Sequence, residues 1–156
     1  LNDAGPAFLA DIKLADGSPL YNERELSHMV DVKVLVQRML AAWYVMLGLF
    51  AVVLLLAVRS KQVSYFFAGL SSAGIYTIGL IGLILVGVVL GFNSLFTGFH
   101  MIFFQGDTWL FYYTDSLIRL FPMQFWQDAF TGMGLITLAL AGLLIVIGKR
   151  YRRNPR

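Results

Sequence analysis

Three uncharged apolar runs set the pattern of the chain: Met39–Val58, Ser72–Phe92 and Phe130–Gly148, with polar or aromatic stretches between them. The first holds 20 residues, and at about 1.5 Å of helical rise each such a run covers a hydrocarbon core of about 30 Å. The pattern predicts an all-α fold, a helical membrane protein with three visible transmembrane helices at 39–58, 72–92 and 130–148 in a single transmembrane domain, 1–156.

The first run has a helical lead-in. Asn22 with Glu25 three residues later forms a capping-box signature, and Glu23 suits the positive end of a helix dipole. No Pro or Gly interrupts Glu23–Leu47, so the amphipathic stretch is expected to continue into the span as one helix. Upstream, residues 1–21 are polar with turn signals at Gly5-Pro6 and Asp16-Gly17-Ser18-Pro19, and read as a loop. A chain that opens at Leu1 on such a segment leads us to expect a further membrane helix or signal-anchor before it.

Residues 93–129 are read as an interfacial loop between the second and third spans, and 149–156 as a basic tail. The loop is too aromatic for a solvated connector. Trp109, Tyr112, Tyr113 and Trp126 suit a headgroup level, where a ring is half apolar and half hydrated. Gly74, Gly79, Gly82, Gly87 and Gly91 on the second span, with a G-x-x-x-G at Gly87–Gly91, read as points of close helix packing.

Composition sharpens this. The chain is 58% hydrophobic and 13% charged, which excludes an ordinary soluble domain of 156 residues. There are no cysteines, which excludes disulfides, a thiolate nucleophile and a cysteine metal site. The net charge of +3 comes largely from the tail and does not call for nucleic acid. Arg59 and Lys61 after the first span, and the five bases of the tail, have no acid among them. Residues 1–38 carry six acids against four bases, and 93–129 three acids against one base. The positive-inside rule therefore sends 1–38 and 93–129 outward and the tail to the cytoplasm.

The candidate chemistry rests on two histidines, His28 and His100, each just beyond the outer end of a span. A histidine pair suits acid–base work near neutral pH. Glu25 and Asp31, three residues either side of His28, share its helix face and are candidates to orient the ring. Asp107, Asp115 and Arg119 are further supporting candidates; Asp115 and Arg119, four apart, have the spacing of a helical salt bridge. The blander readings are an interfacial histidine at 28 and an aromatic-packed one at 100.

The segments YNERELSHMVDVK at 21–33, FTGFHMIFFQGDTWLF at 96–111 and TDSLIRLFP at 114–122 resemble the lipoprotein intramolecular transacylase (Lit) family of bacterial membrane proteins. The resemblance implies a multi-pass protein of the bacterial cytoplasmic membrane, with one more N-terminal helix and a site facing outward. It implies transfer of the sn-2 acyl chain of a diacylglyceryl-cysteine to that cysteine's own α-amino group, with the catalytic histidines carried onto His28 and His100. The implied partners are a lipid-modified lipoprotein N-terminus and membrane lipid, with no cofactor and no metal. An α-amine with a pKa near 8 is within reach of a histidine base, and amine and ester in one molecule need no enzyme nucleophile.

Two other classes of protein fit parts of the pattern. A non-catalytic subunit of a larger respiratory or photosynthetic complex would use His28 or His100 to ligate haem or pigment, or to pack lipid. These histidines flank spans, where axial ligands usually sit within them. A metal-dependent hydrolase would need His28, His100 and a carboxylate such as Asp31 or Asp107, and no close-spaced ligand motif supports it.

Overall fold

The computed structural model describes residues 7–153; the Gly5-Pro6 turn signal and residues 154–156 of the tail lie outside them. The elements are α1 (Ala7–Ala10), α2 (Glu23–Arg59), α3 (Val63–Phe103), α4 (Ser116–Leu120) and α5 (Met123–Arg153). No strand is assigned among the described residues, and α2, α3 and α5 are each long and apolar enough to cross a membrane. Tertiary contacts divide the chain into two units. One comprises the chain up to Trp43 with Asn93–Trp126, the other Tyr44–Phe92 with the chain from Gln127 onward.

The first unit opens on α1 and a tight hairpin. Asp16 accepts bonds from the Ser18 amide at 2.9 Å and its hydroxyl at 2.6 Å, Gly17 takes a φ of 83°, and Lys13 bridges Pro19. Glycine serves here because a side chain is strained at that φ. The start of α2 follows the capping signature: the Glu25 amide donates to Asn22 Oδ1 at 3.0 Å and the Asn22 amide to Glu25 Oε2 at 2.7 Å. With no Pro in it and Gly48 its one glycine, α2 runs on to Arg59.

The segment 93–129 departs from the loop expected of it. Helix α3 is kinked at Gly91, whose φ of -168° and ψ of 59° are not helical, and helix resumes beyond it to Phe103, so His100 stands on a helix. Nothing between Asn93 and Phe103 except Gly98 opposes helix, and aromatic density is not itself a helix breaker. The irregular stretch is only 104–115; Gly106 turns it with a φ of 74°, and Asp115 precedes the five-residue α4. Phe121-Pro122 separates α4 from α5, proline being tolerated where its missing N–H has no helical partner.

In the second unit, α3 and α5 approach closely at small residues. A Cβ on Gly74 would lie 2.8 Å from the Ala141 carbonyl oxygen, one on Gly148 2.5 Å from the Phe67 carbonyl oxygen, and one on Gly134 2.6 Å from Leu85 Cδ2. Gly79, Gly82 and Gly91 instead face open space, so the glycines expected to mark packing do so only in part. Helix α2 ends with Lys61 at a φ of 59°, its amide donating to the Val58 carbonyl and that of Gln62 to the Ala57 carbonyl. This is a Schellman closure with lysine where glycine is usual. Most of the large apolar side chains are exposed, Val89 at 77% and Leu90 at 80% among them, as suits helices whose solvent is hydrocarbon.

Candidate functional site

The four buried side chains described in the first unit are Glu25, His28, His100 and Phe104. Water-soluble domains fill such positions with aliphatic residues; here three of the four are titratable. Both histidines lie on helical extensions beyond the uncharged runs, His28 on the lead-in of α2 and His100 on the overrun of α3.

Their rings stack with centroids 5.7 Å apart and planes 25° from parallel. Phe104 lies edge-on to His28 at 4.9 Å and against His100 at 5.3 Å, so one ring serves both. Phe111 meets His28 at 5.4 Å, while Phe96, Trp109 and Phe99 meet His100 at 4.1, 5.1 and 5.6 Å. Phe103 packs on Phe99 at 4.7 Å.

Hydrogen bonding distinguishes the two rings. His100 Nδ1 lies 2.8 Å from the carbonyl oxygen of Phe96, one turn back on its own helix. A carbonyl only accepts, so Nδ1 carries the proton and Nε2 presents its lone pair. His28 Nδ1 is buried with no hydrogen-bond partner in the protein. Burial pushes His28 down to about 4, helped by the nearby His100 and opposed by Asp31. His100 is also lowered by burial, against the opposing bond to Phe96. At neutral pH the pair is therefore neutral.

Glu25, Asp115 and Arg119 make other contacts than the spacing implied, while the charge of Asp31 acts on His28. Both Glu25 oxygens are taken by backbone amides, Oε2 by Asn22 and Oε1 by Leu117 at 2.6 Å, so Glu25 serves helix ends and not the His28 ring. Asp31, half-buried, accepts from Thr108 Oγ1 at 3.1 Å. Asp115 makes no ion pair with Arg119: it stands before α4, and its carboxylate accepts from Asn22 Nδ2 at 3.0 Å and the Tyr112 amide at 2.8 Å. Arg119 is exposed. Asp107 is exposed too, its backbone carbonyl closing a turn with the Leu110 amide.

Several participants escaped the sequence reading. Arg24 donates to the Leu110 carbonyl at 2.9 Å and lies 5.0 Å above the Tyr112 ring; Trp109 packs on His100, Phe111 on His28, and Thr108 donates to Asp31. Arg24, His28 and Asp31 recur at helical spacing, and that stripe faces 104–115. The stripe is visible in the sequence, but its partners, 77 and 86 residues away, are not. Among the described residues no group of three His, Asp or Glu is placed to hold a metal ion.

A helical membrane protein with a buried, neutral histidine pair in an aromatic enclosure is the class that fold and site define. Residues 8–126 match the lipoprotein intramolecular transacylase family, Lit, and the chain belongs to that family. It is also similar to an uncharacterized protein of Aquifex aeolicus (strain VF5), 27% identical over 158 residues that cover 99% of this chain and 69% of that protein. No solved structure is significantly similar.

Proposed function

We propose that this protein is a lipoprotein transacylase that moves the sn-2 acyl chain of a diacylglyceryl-cysteine to the α-amino group of the same cysteine, and that His28 and His100 do the chemistry. The observation that carries the reading is the fixed tautomer of one histidine beside a second neutral one.

His100 Nε2, which keeps its lone pair because Nδ1 carries the proton, takes the proton as the amine nitrogen bonds to the sn-2 carbonyl carbon. The carbon–oxygen bond to the glyceryl group then breaks, and His100 returns the proton to the departing oxygen. Neutral His28 contributes one ring N–H that polarises the carbonyl or leaving oxygen without becoming an anion. Bonds and protons balance, and the enzyme ends as it began. The aromatic enclosure excludes water, which would otherwise compete with the amine, and holds amine and ester together.

The reaction is an isomerisation, so product and substrate have equal mass. The test is tandem mass spectrometry of a lipoprotein's N-terminal peptide from bacterial cells with and without this protein. The expected result is an N-acyl, lyso-glyceryl cysteine only in its presence. Identical fragment spectra in both would overturn the proposal.

A further inference from the structure

Glu25 is the most deeply buried polar side chain described, 1% exposed, and it spends its carboxylate on the starts of two helices 92 residues apart in sequence. One oxygen completes the capping box of α2; the other accepts the Leu117 amide in the first turn of α4. That amide needs an outside acceptor, because Asp115, the residue before α4, makes no side-chain cap bond. The Asp115 carboxylate is held instead by Asn22 and Tyr112.

The two ends that Glu25 ties together bear on the two histidines separately. His28 stands three residues beyond Glu25 on α2. From α4 the chain passes to Phe121, whose ring lies 6.2 Å from that of Trp126; Trp126 is 6.5 Å from Phe96, and Phe96 packs on His100 at 4.1 Å. We propose that Glu25 is a positioning residue for the transacylation: by capping both helices at once it fixes where the His28 ring stands relative to the segment that backs His100. This rests on the function proposed above. His100 draws its own tautomer from α3, so Glu25 governs placement of His28 and not the state of His100.

Glu25→Gln keeps the shape but puts an NH2 where one amide N–H needs an acceptor. Glu25→Asp keeps both acceptors and shortens the reach by one methylene. The experiment pairs steady-state kinetics on a diacylglyceryl-cysteine lipopeptide with histidine-selective 15N spectra of the full chain in detergent. For Glu25→Gln we expect kcat to fall by about 10- to 100-fold with KM within about two-fold, since displacing a reacting group by about 1 Å carries a cost of that order. Glu25→Asp should fall between it and the parent. In the spectra the His28 ring nitrogens should shift while the Nδ1–H tautomer of His100 persists. On a His28→Gln background Glu25→Gln should cost little more, because it acts through the ring already removed. Should Glu25→Gln fail to fold, the kcat-selective loss in Glu25→Asp decides. An unchanged kcat in a folded Glu25 variant, or a lowered thermal stability with kcat per folded molecule intact, would overturn the proposal. If the parent protein leaves the lipopeptide unconverted, the transacylase reading fails by itself. The His28 shifts then decide for Glu25, and their absence would overturn its role.

Discussion

The burial of His28 and His100 has a consequence that titration can read. The folded chain holds His28 unprotonated down to about pH 4, whereas an unfolded histidine titrates near 6.5. Between those values the unfolded state binds more protons, so the contribution of His28 to stability is present in full above about pH 6.5 and lost as pH falls toward 4. Thermal unfolding in detergent should show the midpoint dropping over that interval, and His28→Gln should flatten the drop. A slope unaltered by the substitution would show that the ring is not held neutral by the fold. In catalysis the two rings should act as a unit, so the double variant His28→Gln/His100→Gln should lose less than the two single losses multiplied together. Both candidates were legible as the whole histidine complement of the chain. The partners of Glu25 and Asp115 were not, because spacing along one helix cannot show that Glu25 also accepts from Leu117 or that Asp115 lies outside α4.

Helices were legible where one local rule acted alone. Asn22 and Glu25 marked the start of α2, and the absence of Pro or Gly over Glu23–Leu47 carried it into the first apolar run. The helix beyond Gly91 to Phe103 is not legible from aromatic density, which suits a membrane interface and a helix alike; Phe96, Phe99, His100 and Phe103 recur at helical spacing on it. The α3 and α5 contact offers a direct test of packing. Gly148→Ala sets a methyl group 2.5 Å from a backbone oxygen that cannot rotate away, and should destabilise by about 1–3 kcal/mol. Gly79→Ala meets nothing within 4 Å and should leave the unfolding midpoint unchanged or raised. Equal effects of the two would contradict the close approach. At the end of α2, Lys61→Gly relieves a left-handed φ of 59° and should stabilise by about 1 kcal/mol in the same assay.

For the molecule as a whole, charge is the guide to orientation. Acids outnumber bases in 1–38 and 93–129, and the tail after the third span carries five bases and no acid. We therefore expect the tail in the cytoplasm and the histidine site on the outer side. A cysteine added after Arg156 and, in a separate variant, one replacing exposed Tyr113 give two labels to compare. An impermeant maleimide on intact cells should react with the second and not the first; the reverse would invert the orientation. The central claim is that the histidine pair transfers an acyl chain within one lipopeptide, and a diacylglyceryl-cysteine peptide with a deuterated sn-2 chain tests it most directly. With the purified protein, tandem mass spectrometry should find the deuterated chain on the α-nitrogen, and His100→Gln should slow its appearance by about 10²- to 10⁴-fold. Deuterium remaining on the glyceryl oxygen with the parent protein, or full-rate transfer by His100→Gln, would contradict the account.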